Sequence, residues 1–508
     1  MINRVLITGN HPISNDLTRQ FQTRGMSVEH IPNLAEGSSQ PLDAYGEACL
    51  LSAAEGEPVK ADNEVMEALE RMAAAYNAEG NDGRKPVCHL LLRSQSLLHM
   101  IRLEGFRKDI EEKLEVYPFT MEDEWCRRLA SRLDREPVTL QSEKTVHMVI
   151  FGMSPIAELA AINAAHVCHF PNYIRNHTKR TRITVIAPKA REKSTEWTQR
   201  YEQLFSNCYY RFVDTRQQPA VTATIPPGRK GAAEDFVDIE WEFVSASPYD
   251  VLVRNKLRQW ALSTSQLLTI VFADADAEPS LNDALHLPDE VGAAGVPIYV
   301  YMQSDQALRP ISHSGKVADI RPFGMADHGY DSSLPYIQMA KTVNYIYSQC
   351  RVMKKDDGSW KMEYAVEVDA EERERLWRAL PFNKRMSSIY NAMTIATKMR
   401  SMGFKDDDWE RFYDISQNEI ETLAQVEHNR WSVEELILGW RPCTEQEQLE
   451  VEADISKKEV LKKRKIHYDL RAYNDLRPDD SGKPVQIYDR CLSACIPLIA
   501  KESKGGNK

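Results

Sequence analysis

Two stretches of this chain open in the same way, and that shared opening limits the fold more than any other feature. "VLITGNHPISNDLTRQFQTRGMSVEHI" runs from an apolar strand, Val5 to Thr8, through Gly9 into a helix over Ser14 to Arg24. Gly25 closes the helix, and a second strand covers Met26 to Ile31. "VHMVIFGMSPIAELAAINAAHVCHF" repeats the arrangement: a strand over Val146 to Phe151, Gly152 at the turn, and an alanine-rich helix over Pro155 to Cys168. A buried strand that turns sharply into a helix and then into another strand is the unit of a parallel sheet.

Further strands read at 182–187, 209–215, 239–247, 267–275 and 297–303, with a helix "SLNDALHLPDEVGAAG" between the last two. The first unit closes with "PVCHLLLRS" at 86–94, after a loop over 80–86. Strands alternating with helices predict an α/β chain: tandem Rossmann-like parallel sheets, covered on both faces, followed by a mostly helical module.

In such sheets ligands bind at the carboxyl ends of the strands, where the first helix points its amino terminus. The candidate residues are Gly9, Asn10 and His11 in the first unit, and Gly152, Met153, Ser154 and Pro155 in the second. Neither turn is GxGxxG, so a pyrophosphate finds no full glycine fingerprint. Where an acidic residue would hold a ribose, the second unit has Ala187, Pro188, Lys189 and Arg191. That disfavours plain NAD and suits a phosphorylated ribose or another anion; Lys189 and Arg191 are the expected phosphate contacts. A nucleotide or NAD(P)-like ligand is the cofactor class to consider. Purely structural turns remain the alternative.

A chain of 508 residues needs about three domains. The expected division is 1–140 and 141–335 for the two Rossmann-like units, 336–415 for a helical connector with an exposed turn at 354–360, and 416–508 for a helical module. Net charge is −11, which argues against general nucleic-acid binding. Nine cysteines without a CxxC pair read as buried thiols of a reducing compartment. No signal-peptide layout begins the sequence, and no apolar run approaches the ~20 residues that cross a bilayer. The expectation is a cytoplasmic protein with no direct membrane insertion.

The helical module holds "LAQVEHNRWSVEELILGWRP", in which His428 and Trp431 stand side by side on one helix face. Downstream, six of the nine residues 457–465 are Lys or Arg, and they lead into "HYDLRAYNDL" and then "YDR". Aromatic faces beside basic groups can build a nucleotide pocket; plain packing of Trp431 is the competing account.

These segments resemble the RyR domain, the repeat module of ryanodine receptors that also occurs singly in bacterial proteins. The matching positions are His428, Asn429, Trp431, Gly439, Trp440, His467, Leu470, Tyr473, Leu476, Tyr488, Asp489 and Arg490; Arg441 and Pro442 depart from the channel-type exit loop. The stretch around Val146 to Asn172 is similar to the TrkA-N nucleotide-binding domain. Together the resemblances imply a bacterial regulatory protein that senses a small nucleotide-derived molecule, in the setting of antiphage or stress signalling. The implied pocket comprises His428, Asn429, Trp431, Trp440, His467, Tyr468, Tyr473, Asp489 and Arg490. A homo-oligomer is expected. No HExxH, GxSxG or P-loop is present, so catalysis is not the first expectation. The alternatives are an NAD(P)-dependent oxidoreductase and a cytosolic gating subunit of a potassium transport system.

Overall fold

The computed structural model describes residues 3–32, 37–52, 57–76, 85–215, 221–224, 236–274, 276–304, 320–326, 329–358, 360–363, 365, 367–405, 408, 416–479 and 482–502. Residues 80–84 of the expected 80–86 loop lie outside the described residues.

The first sheet contains β1 (Arg4–Thr8), β2 (Ser27–Ile31), β3 (Glu47–Leu50), β4 (Val87–Leu91) and β5 (Glu115–Phe119). Their order is β2-β1-β3-β4-β5, and every pairing is parallel. Helices α1 (Ser14–Thr23) and α2 (Pro58–Ala75) cover it. In α2 the buried positions Ala61, Val65, Ala68, Leu69 and Met72 recur at helical spacing, so one stripe meets the sheet.

The second sheet takes β6 (Thr145–Phe151), β7 (Thr181–Ala187), β8 (Tyr209–Asp214), β9 (Val221–Thr224), β10 (Ile239–Ser245), β11 (Gln266–Phe272), β12 (Ile298–Tyr301) and β13 (Ile320–Phe323). The order is β13-β12-β11-β6-β7-β10-β8-β9, parallel except for the edge pair β8 and β9. The expected fold class is thus present: two parallel, doubly wound sheets in tandem and a helical remainder. The helix expected over 280–295 is two shorter ones, Ala277–Leu285 and Asp289–Ala293, because Pro288 cannot continue the first.

Helix α3 (Met121–Ala130) lies between the sheets. Met121 enters the core of the first sheet, and Cys126, Leu129 and Ala130 enter that of the second. It packs against α4 (Pro155–Val167), which is buried on nearly every side. Beyond residue 335, α5 (Pro335–Gln349), α6 (Ala370–Ala379) and α7 (Phe382–Met393) give Ile337, Trp377, Phe382 and Met386 to the first core. The long α8 (Gln417–Ile437) gives Val433, Leu436 and Ile437 to the second core. Around 354–360 the chain forms an antiparallel hairpin, Arg351–Lys354 against Trp360–Glu363, where the sequence suggests only a turn. The module continues with α9 (Glu445–Ala453), α10 (Lys457–Lys462) and α11 (Ile487–Ala494), and its last described helix is Ile496–Lys501. Among the described residues no helix is long and apolar enough to cross a membrane.

Candidate ligand-binding crevice

The strand order of the first sheet reverses between β1 and β3, and there the loops at their carboxyl ends part. Gly9 makes the turn after β1. Its φ is +79°, and a Cβ would lie 2.5 Å from the Leu51 carbonyl oxygen, so only glycine lets the two chains pass this closely. Thr8 ties the strands together: its Oγ1 accepts from the Leu51 N–H at 3.1 Å and donates to the Leu51 carbonyl at 3.0 Å. His11 follows, buried, with Nδ1 accepting from the Ile13 N–H at 3.3 Å. Burial, then the nearby Arg93 charge, push His11 down to about 4, so the imidazole is neutral near pH 7. The loop after β4 is fixed by Asp62, whose carboxylate accepts from the N–H groups of Arg93 at 2.7 Å and Ser94 at 3.0 Å.

These turns form one wall of a crevice of about 570 Å³; edge strands of the second sheet form the other. His11, Pro12, Pro58, Arg93 and Glu122 come from the first sheet's carboxyl side, and Tyr301, Gln303 and Gly324 follow β12 and β13. The carboxyl edges of both sheets therefore face one space. Trp125 stands between them on α3, its indole N–H donating to the Met325 carbonyl at 2.9 Å and its ring 6.0 Å from that of Tyr301. Gly324 has φ +106°, and a Cβ would collide with the Tyr301 ring. Burial raises the Glu122 carboxyl above its ordinary range. The crevice thus combines two aromatic rings, an exposed guanidinium, a neutral imidazole, and the carboxyl groups of Glu57 and Glu122 at the amino ends of α2 and α3.

The residues named from the sequence fall into three groups. Around the first turn, Gly9 is buried and Asn10 is exposed beside it. The second turn lies where β6 and β11 diverge. Gly152 has φ +105°, and a Cβ there would meet the Asp274 carboxylate. Ser154 caps α4, accepting from the Ala157 N–H at 3.2 Å and donating to the Ala273 carbonyl; Met153 is buried. A carboxylate over this helix amino end opposes an anionic ligand. Lys189 and Arg191 are exposed at the end of β7, with the Arg191 N–H held by Ser245 Oγ at 3.1 Å.

In the helical module the structure brings most of the expected aromatic set together. His428 Nε2 donates to the Arg471 carbonyl at 2.8 Å, and Nδ1 faces Asp489 at 3.7 Å. The His428 ring lies 5.6 Å from Trp431 and 5.8 Å from Tyr473. His467 stands edge-on between Trp431 at 4.9 Å and Trp440 at 5.7 Å. Trp431 and Trp440 are partly buried and pack against the second core. Asn429 is buried. Tyr468 belongs to a separate small core, with Arg471 over its ring at 4.2 Å. Arg490 forms a two-pronged pair with Glu421, tying α11 to α8. Within the basic run, Lys458 pairs with Asp469 at 2.8 Å, and Lys465 donates to the Leu438 carbonyl at 3.2 Å.

The polar residues beside His428 serve another purpose. Arg430, completely buried, bonds Glu427 at 2.9 Å and Glu434 at 2.6 Å, and Lys398 reaches Glu427 at 2.6 Å. Burial would raise Glu427, but Arg430 and Lys398 outweigh it and hold it at about 2. Glu435 is pushed up to about 8, by burial first and then by the neighbouring Glu434 charge. Its folded-state pKa exceeds the ordinary 4.5, so its contribution to stability is intact below that value and is lost as the pH rises toward 8. Glu435→Gln is expected to remove this loss, a relative gain on the order of 1–3 kcal/mol at about pH 8 over about pH 5. Urea unfolding of both proteins at the two pH values measures it; identical pH dependence would refute the assignment.

Sequence reasoning did not find Arg93, Glu122, Trp125 or Tyr301. A scan of the chain against protein-family models and a search of curated proteins return no match.

Proposed function

We propose that this chain is a cytoplasmic, ligand-sensing regulatory protein whose nucleotide-type ligand binds in the crevice between the carboxyl edges of its two sheets. The observation that carries this reading is the position of the cavity. It opens at the strand-order reversal of the first sheet, with His11, Pro12 and Pro58 on its wall. Open α/β sheets bind ligands at such points. Its volume suits a mononucleotide or dinucleotide fragment. A base would lie against Trp125 or Tyr301. Phosphates would meet Arg93, on the side of the crevice away from Glu57 and Glu122. The resemblances to RyR and TrkA-N domains point to the same ligand class.

Thermal-shift measurements against a panel of nucleotides test this reading. A ligand that binds only the native state at a hundredfold excess over Kd adds about 2.7 kcal/mol of stability. The expected result is a rise in melting temperature with at least one nucleotide. Arg93→Glu, at an exposed position, should weaken that ligand about tenfold or more, a loss of about 1.4 kcal/mol or more. No response to any nucleotide, or an Arg93→Glu protein that responds like wild type, overturns the reading. Protein-dependent reduction of NAD or NADP would replace it with an oxidoreductase.

A further inference from the structure

We propose that a second small-molecule site lies where the helix Gln95–Glu104, α4, α7 and α8 meet, and that it takes a monocarboxylate with an apolar body. A cavity of about 420 Å³ opens there, within the range of small-molecule sites. It shares no lining residue with the crevice: on α3, Glu122 and Trp125 line the crevice and Asp123 lines this cavity. Leu159 and Ile162 of α4 and Ile437 of α8 give it apolar surface.

The polar lining holds hydrogen-bonding capacity that the protein does not use, whereas buried polar groups are normally partnered. His166 is 4% exposed and stacks on Tyr390 at 4.2 Å, yet its Nδ1 has no partner. Asn163, also 4% exposed, gives its Nδ2 to Asp123 Oδ1 at 3.2 Å and to the Leu159 carbonyl at 3.0 Å. Its Oδ1 takes no donor among the described residues. Arg102 uses one N–H group, on Asp123 at 2.6 Å, and keeps the rest of a planar, forked donor surface. Such a guanidinium meets a carboxylate through two parallel N–H groups.

The surrounding charges set the sign and the number. Arg102 is paired with Asp123, and Arg200 with Glu158. Lys465 adds a third cation: burial first, then the charges of Arg102, Lys465 and Arg200, push His99 below its ordinary value. His99 is exposed and lines the cavity, so that edge is electropositive. One negative charge fits beside it. A phosphate group, at about −1.5 to −2 near pH 7, would bring further charge against Asp123 and Glu158.

Isothermal titration calorimetry on the full chain, with hexanoate and phenylacetate as probes, tests this. At least one acid should bind, and its amide, hexanamide or phenylacetamide, should bind at least about tenfold more weakly, because it lacks the charge that Arg102 meets. His99→Glu puts a carboxylate at the electropositive edge and should weaken the acid about tenfold or more, while His99→Lys should tighten it. Both variants should melt close to wild type, since the position is exposed. Leu438→Trp fills part of the cavity, removes no charge and should block the acid. A wild type that binds neither acid overturns the inference and leaves a cavity that holds water only. So do amides that bind as tightly as the acids, a His99→Glu or Leu438→Trp protein that binds like wild type, or inorganic phosphate that displaces the bound acid. The two sites share no lining residue, so these outcomes leave the nucleotide reading of the crevice untouched.

Discussion

Arg430→Met is expected to destabilise the chain by about 3–5 kcal/mol, although the side chain it removes touches no solvent. Arg430 is held by Glu427 and Glu434, and Lys398 completes the group from the helix Ile395–Ser401. Methionine fills much of the space but leaves two buried carboxylates with a single cation. The unpaired charge dominates, because a buried ion stripped of its partner cannot recover hydration. Equilibrium unfolding in urea reads the loss directly. A double replacement, Arg430→Met with Glu434→Gln, should recover part of it by removing one stranded charge. A loss below about 1 kcal/mol for Arg430→Met would mean that water reaches this group and that it is not a closed network.

Gly9→Val is expected to cost about 3 kcal/mol or more, since it combines a strained backbone with an overlap. At φ +79° a branched residue is unfavourable, and its Cβ would sit 2.5 Å from the Leu51 carbonyl oxygen. β1 and β3 would have to separate at the strand-order reversal that opens the crevice. Gly25 provides the control: its φ is +76°, but nothing lies within 4 Å of its Cβ position. Gly25→Val should therefore show the backbone term alone, about 1–2 kcal/mol. Equal losses at the two positions would show that close strand packing at Gly9 contributes nothing.

Two of the strands that escaped the sequence reading share a cause. β5, "EVYPF", and β13, "IRPF", each contain a proline, Pro118 and Pro322. Proline lacks the N–H that a central strand must donate, so such segments read as loops. Both strands lie at sheet edges, where one side of the backbone needs no partner. β3, "EACL", is too short to display any period. The hairpin at 351–363 is mostly charged and polar, with no apolar alternation to announce it.

What the sequence determined alone is local: that Gly9 and Gly152 end strands and begin helices, that strand–turn–helix units recur along the chain, and that His428 and Trp431 share a helix face. Each depends on spacing within a few residues or on a backbone angle open chiefly to glycine. What only the tertiary structure decided is which groups share a space. Arg93, Trp125 and Tyr301 lie far apart in the chain and meet because two sheets turn their carboxyl edges toward each other. The same holds for "EHNRW", where adjacent polar residues leave the helix in different directions. His428 goes to the Arg471 carbonyl and Arg430 to two buried carboxylates, because a helix turns its side chains by about 100° per residue and only the neighbouring helices settle what each one meets.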